Sequence, residues 1–482
     1  MKRLRATTAA IGLTILFALG AASAQAQTSP PGEETKTTPA ERATATPNRP
    51  NFVVLLANDV AYEDVGANGH PTIRTPNLDR LAADGMRFEN AFLTCSSCSP
   101  SRCSLTTGRY PHATGAMRLH EPLPADQILF FEPLRAAGYY TASSGVWHMG
   151  GPCKSKLDLV EEKQGRWVDV LRERPKDRPF CLWFGFEDAH RPYAPNAIAE
   201  PHAPSDVVVP PYLTDTPELR GDLALYYDEI ARIDENVGKI LAELDAQGLT
   251  SSTVVLFLSD NGVSLPRAKT TVYDSGVRTP LFIKWPARIE AKSVCRSLVS
   301  AVDLAPTILD LAGVETPKSF QGTSFAETLH DPRLTTREYV FAEHNWHDFE
   351  DHGRAVRSTK YKYIENAWPE TPGTPPADAV RSPTFAALRR QRDAGTLPDH
   401  LQRQLFTAPR PKYELYDVQT DPAELKNLAN DPAHQDALHV LQKELQQWRQ
   451  ATRDFIPAER RPDGFDRETG EPVSSPRSRE RR

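Results

Sequence analysis

The sequence predicts an α/β chain: a mixed, largely parallel sheet flanked by helices, followed by a smaller C-terminal α+β domain. Three observations carry this expectation. Continuous apolar runs at 52–57, 181–186 and 254–258 have the length and two-sided apolarity of central strands covered on both faces. Amphipathic helical patterns lie between them, and that alternation builds parallel sheets. Beyond about residue 330 the chain changes to short strands at 354–364 and 413–417, a Pro-rich loop around 372–376 and a helix over roughly 433–452. A length of 482 residues is ample for a large core with an accessory domain.

In chain order, Met1-Lys2-Arg3-Leu4-Arg5 is basic, 9–21 is apolar and small, and Ala22-Ser23-Ala24 and Ala24-Gln25-Ala26 offer cleavage sites. Residues 1–26 therefore read as a secretory signal peptide, and export to the periplasm or the extracellular space is expected. Residues 27–49, rich in Thr, Pro, Glu and Ala, read as a disordered linker. No later stretch is long and apolar enough for a membrane span once the signal is removed. The α/β domain is expected over 50–330, the C-terminal subdomain over 331–456 and a disordered tail over 457–482. A net charge of -6 and the lack of basic runs interleaved with aromatics argue against nucleic acid as a partner. The six cysteines match no zinc spacing, export permits disulfides, and the sequence assigns no pairs.

The run 52–57 ends at Asn58-Asp59. Thr75-Pro76 opens an amphipathic helix closed by Gly85. Next comes Cys98-Ser99-Pro100-Ser101-Arg102-Cys103-Ser104-Leu105-Thr106-Thr107-Gly108. Ser99 suits an N-cap, Pro100 the first helical position and Gly108 a left-handed stop. Cys98 then sits at the positive end of a short helix, with Arg102 one turn on. Read alone, this is a buried cysteine at a helix cap. A strand at 139–143 leads into Gly145-Val146-Trp147-His148. The run 181–186 ends before Asp188-Ala189-His190-Arg191-Pro192. A long helix starts at Thr216-Pro217 and stops at Gly248, and the run 254–258 ends at Ser259-Asp260-Asn261-Gly262. Strand exits are polar by default. In a parallel sheet, however, all four exits fall on the carboxyl edge, where α/β folds place ligands. Asn58, Asp59, Asp260 and Asn261 supply the hard oxygens that Ca²⁺ or Mg²⁺ takes, although each pair is also a common turn dipeptide.

The unbroken string from Cys98 to Gly108 resembles the maturation motif of the type I sulfatases, in which a dedicated enzyme oxidises the cysteine to formylglycine. The resemblance spans about 50–455 and includes Tyr413-Glu414-Leu415-Tyr416-Asp417. It implies an alkaline-phosphatase-like α/β fold. It also implies hydrolysis through a formylglycine gem-diol and a covalent sulfate intermediate. Asn58, Asp59, Cys98, Asp260 and Asn261 match the ligands of a divalent cation, usually Ca²⁺. Arg102 matches the arginine that holds the formylglycine. His148 matches the proton acceptor of the elimination step, His190 the general acid at the leaving group, and Lys269 the late sulfate-binding cation. The implied partners are a sulfated glycan and the maturation enzyme, with a homodimer left open. With Cys98 converted, five cysteines would remain, so at least one is unpaired.

Two positions depart from the family pattern. Asn58 stands where an aspartate is usual, and Val146 where a lysine is usual. Both remove charge from the site. Val209-Pro210-Pro211-Tyr212, Ser382-Pro383-Thr384-Phe385 and Ser96-Ser97-Cys98 are most similar to the heparan N-sulfatases (sulfamidases), which points to N-sulfoglucosamine. Substrate groups are expected from His344-Asn345-Trp346-His347-Asp348, Arg354 and Arg357, the other reading being an ordinary polar loop. A weakly active or inactive sulfoglycan-binding protein is the second reading of the whole. A phosphoester hydrolase is disfavoured, because phosphate enzymes of this superfamily use Ser or Thr directly.

Overall fold

The computed structural model describes residues 49–473. The expected signal peptide, residues 27–48 of the expected linker, and 474–482 lie outside the described residues. Ten strands precede residue 301: β1 (Asn51–Ala57), β2 (Met86–Phe88), β3 (Ala91–Phe92), β4 (Tyr140–Gly145), β5 (Leu159–Glu161), β6 (Phe180–Gly185), β7 (Thr253–Ser259), β8 (Leu281–Lys284), β9 (Ser293–Cys295) and β10 (Val299–Ser300). Eight of them form one sheet in the order β5-β4-β6-β1-β7-β8-β2-β9. The run from β5 to β7 is parallel, and β8 is antiparallel to both its neighbours.

The apolar runs are continuous because both faces of the sheet are covered. Along β1, Phe52, Val54 and Leu56 point into one core and Val53, Leu55 and Ala57 into the other. The first core takes Cys103 and Leu105 from the helix Cys98–Thr107. The second takes Leu223, Tyr226, Ile230, Ile233, Val237 and Ile240 from the long helix Pro217–Ala246. That helix starts as its sequence dictates: the Leu219 amide donates to Thr216 Oγ1 at 3.1 Å, the Pro lies at the first turn, and Gly248 follows at φ +68°.

A second sheet, β11 (Val340–His344), β12 (Gly353–Arg357), β13 (Tyr361–Asn366) and β14 (Tyr413–Asp417), is antiparallel throughout. One face (Ala342, Ala355, Ile364, Tyr416) joins the first core. The other (Val356, Tyr363, Leu415) is covered by Leu438, Leu441, Leu445 and Trp448 of the C-terminal helix Gln435–Thr452. Beneath it Arg354 is fully buried, 2.7 Å from Asp454 and 3.5 Å from Glu343, and His112 Nδ1 lies 2.7 Å from Glu343.

The structure differs from the sequence expectations at four points. The cysteine helix begins at Cys98 with Ser97, not Ser99, as its cap residue. The Ser99 hydroxyl instead accepts the His120 amide at 2.8 Å. Thr75 does not cap its helix; its hydroxyl accepts the Gly66 amide and donates to Asp79, and the helix ends at Ala83, before Gly85. Residues 457–473 of the tail expected to be disordered lie against the body. The Gly464 amide donates to the Asp348 carbonyl at 2.8 Å, Trp346 Nε1 donates to the Pro462 carbonyl at 3.0 Å, and Arg467 donates to the Glu350 carbonyl at 2.9 Å. Finally, Arg354 and Arg357, expected to face substrate, are spent internally, the latter 3.1 Å from Asp274. All six cysteines are buried and unpaired. Among the described residues, no helix is long and apolar enough to cross a membrane.

Candidate active site

Because β4, β6, β1 and β7 are adjacent and parallel, their carboxyl ends open on one edge. The exits there carry Asn58-Asp59, His148, His190 and Asp260-Asn261. Two close approaches hold the exits together. Gly145 sits at φ +87°, and a Cβ there would lie 1.9 Å from the Gly185 carbonyl oxygen. A Cβ at Gly185 would lie 2.5 Å from the Val146 oxygen and 3.1 Å from Arg102 Nη1. Only glycine fits either position.

Arg102 crosses this edge. Its Nε and Nη2 reach Asp260 Oδ2 at 2.9 and 2.8 Å, and Nη1 donates to the Val146 carbonyl at 2.7 Å. Lys269 Nζ lies 2.7 and 2.8 Å from the two oxygens of Asp59. Asn261 Nδ2 donates to Asp59 Oδ1 at 2.6 Å, and the Asp59 amide donates to Asp260 Oδ1 at 3.3 Å. Cys98 Sγ is 4.0 Å from Asn58 Oδ1. None of these seven side chains is more than 4% exposed. Asp59 and His148 hold φ of +59° and +57°, a strained backbone region for non-glycine residues. The polar network around Asp59 fixes it there.

The donor set fits a hard divalent cation. Asn261 Oδ1 is buried without a partner. The Asn58 oxygen has only a thiol nearby, and the Asp59 and Asp260 carboxylates belong to the same cluster. Burial raises the Asp260 carboxyl above its ordinary value and Asp59 adds to this, while Arg102 and Lys269 oppose it; a cation at these oxygens would favour the ionised carboxylates. Asn58, Asp59, Asp260 and Asn261 are the residues that would hold it. With Asn58 neutral, two carboxylates face Lys269 and Arg102, so the cluster is already charge-balanced.

Burial pushes the Cys98 thiol up to about 12, with Lys269 and Arg102 only partly offsetting it. As a plain cysteine it is a protonated thiol at neutral pH and a poor nucleophile. Burial, then Arg102, His120, Lys269 and His190, lower His148 to about 3, so its ring is neutral. His190 Nδ1 donates to the Arg191 carbonyl at 2.6 Å, leaving Nε2 as its free nitrogen.

Two further histidines border the site. The His120 ring lies tilted against that of His148, with centroids 4.9 Å apart. His347, from the 344–348 loop, places Nδ1 2.8 Å from Ser97 Oγ, next to Cys98. His347 was within reach of sequence reasoning as part of a polar loop. His120, in Arg118-Leu119-His120-Glu121, carried no signal. Lys154, the lysine nearest to Val146 in sequence, is paired with Glu162 at the surface.

A family model described as Sulfatase matches residues 50–157 and 164–314. A second, described as N-sulphoglucosamine sulphohydrolase, C-terminal, matches 267–370. An ulvan-active sulfatase of Formosa agariphila is 33% identical over 458 residues, 83% of this chain and 75% of its own. The human N-sulphoglucosamine sulphohydrolase is 30% identical over 457 residues, 84% of this chain and 90% of its own. Among solved structures, one in complex with its substrate D-glucosamine-2-N,6-O-disulfate superposes with a TM-score of 0.67 at 20% identity, covering 85% of this chain and 99% of that one. A 2-O GAG sulfatase gives 0.66 at 21%, covering 90% and 100%.

Proposed function

The chain belongs to the sulfatase family, and from that premise we propose an exported, formylglycine- and Ca²⁺-dependent enzyme that removes sulfate from N-sulfoglucosamine in heparan-type glycans. Hydrolysis of sulfate esters or sulfamates is the activity of the family. The observation that supports the finer reading is the burial of Cys98 at the first turn of its helix, beside Asn58 Oδ1 and within the field of Lys269, Asp260, Asp59 and Arg102. The N-sulfate assignment is supported by the second family match and by the human relative.

Once Cys98 is matured, the formylglycine would supply an oxygen nucleophile that no unmodified side chain provides, and a cation held by Asn58, Asp59, Asp260 and Asn261 would lower the cost of ionising it. The chain's own residues do the rest. Arg102, pinned to Asp260 and to the β4 exit, fixes the position of residue 98. Lys269 holds positive charge where sulfate charge accumulates. His190 presents Nε2 for the proton the leaving group needs, and the neutral His148 ring takes a proton in the elimination step. The test is sulfate release from N-sulfoglucosamine set against a panel of O-sulfated sugars. Release only from O-sulfated sugars would overturn the substrate assignment.

Asn58 and Val146 favour one second reading, a sulfoglycan-binding protein with a degraded site. The double variant Asn58→Asp/Val146→Lys separates the two. For a working enzyme, turnover changes by less than about tenfold. A rise on the order of a hundredfold or more, with ligand affinity unchanged, would mark the natural site as degraded.

A further inference from the structure

We propose that His120 supplies the sulfate-facing polar contact that Val146 cannot, forming with His148 a paired-imidazole wall at the mouth of the site. The inference rests on the sulfatase reading above. The β4 exit carries an aliphatic side chain at position 146, and no second lysine joins Lys269 in its place: Lys154 is paired with Glu162 at the surface.

His120 arrives from a different part of the chain and is held in place from two sides. Its amide donates to Ser99 Oγ at 2.8 Å, in the first turn of the Cys98 helix. The preceding amide, of Leu119, donates to the Trp346 carbonyl at 3.2 Å, in the loop that carries His347. The residue takes φ +63°, a backbone region uncommon for non-glycine residues. The ring lies 4.9 Å from that of His148 at 46°. His120 is exposed where His148 is half-buried, so of the pair it is the outer member, open to an incoming anion. Partial burial lowers this ring below the ordinary histidine value, and His190 and Lys269 lower it further. An imidazole N–H there can donate to a sulfuryl oxygen. Unlike a lysine it brings no obligatory charge.

The test is a set of four proteins matured in the same host: wild type, His120→Ala, Val146→Lys and the double variant. The substrates are N-sulfoglucosamine and an aryl sulfate. His120→Ala lowers kcat on the order of a hundredfold, with a smaller change in KM. Val146→Lys alone alters turnover by less than about threefold, but it restores the double variant to within about tenfold of wild type. Such non-additivity is the mark of two groups serving one role. Equal factors for Val146→Lys in both backgrounds, or full activity in His120→Ala, would overturn the proposal.

A second readout does not depend on turnover. Inorganic sulfate binding to the Cys98→Ala protein, measured by calorimetry, weakens about tenfold when His120→Ala is added and recovers with Val146→Lys. Unchanged affinity contradicts the role of His120. Altered affinity in a protein that releases no sulfate sustains that role while removing the hydrolase reading.

Discussion

Cys98→Ala abolishes sulfate release, by on the order of 10⁴-fold or more, and leaves the fold intact. The size of the loss follows from removing the nucleophile itself rather than a group that assists it. The preserved fold follows from the surroundings: Cys98 packs at a helix start whose hydrogen bonds are backbone ones, such as the Ser101 amide to the Ser97 carbonyl at 2.9 Å. Cys98→Ser is equally informative. A serine hydroxyl would occupy the same place, yet only a cysteine in this motif is expected to be matured. Residual turnover near wild type in Cys98→Ser would mean that an unmodified hydroxyl suffices, and the formylglycine would not be needed. Circular dichroism and thermal unfolding check that both variants remain folded.

Lys269→Met has the second large effect, on stability as well as rate. The lysine is the charge partner of a fully buried carboxylate, contacting both its oxygens at 2.7 and 2.8 Å. Removing one partner of a buried pair leaves the other charge uncompensated, at a cost of about 3–5 kcal/mol. Methionine keeps the stem volume, so the loss reports the charge. A divalent cation that binds Asp59 in the folded state would offset part of it by mass action. Urea unfolding in chelator and in millimolar Ca²⁺ should therefore give clearly different midpoints for the variant. Equal midpoints would argue against a cation at Asp59. Turnover falls as well, because the positive charge facing sulfate is lost.

The sequence disclosed those parts of the site that chemistry forces to be contiguous or that a parallel sheet must collect. The Cys98 string is local, so it could be read directly. Asn58-Asp59 and Asp260-Asn261 are about two hundred residues apart. Yet each follows an uninterrupted apolar run, and two such runs paired side by side bring their ends together. Arg102 and Lys269 were named through the resemblance; only the structure shows which carboxylate each one meets.

What stayed hidden depends on tertiary contacts that leave no pattern. Ser99 reads as the cap in sequence, but its hydroxyl is taken by the His120 amide and that of Ser97 by His347, both from distant loops, so neither side chain caps the helix. Arg354 and Arg357 read as substrate groups because, with 344–348, they make a stretch dense in groups that could bind sugar hydroxyls, an amine or a carboxylate. Here Asp454, Glu343 and Asp274 neutralise them inside. The tail has a composition typical of disorder, but charges of its described residues 457–473 are spent on the body: Glu468 lies 2.6 Å from Arg392, and Arg461 stacks over Trp346 at 4.1 Å.

The most direct test takes the protein from a host that carries the maturation enzyme. Mass analysis of the tryptic peptide covering residues 88–102 establishes whether residue 98 is formylglycine, and sulfate release from N-sulfoglucosamine is then followed with and without chelator. Formylglycine at 98 together with chelator-sensitive release is the predicted result. Formylglycine at 98 with no release from N-sulfoglucosamine or any O-sulfated sugar would contradict it, and would show that Asn58 and Val146 have left a site that binds sulfated sugars without cleaving them.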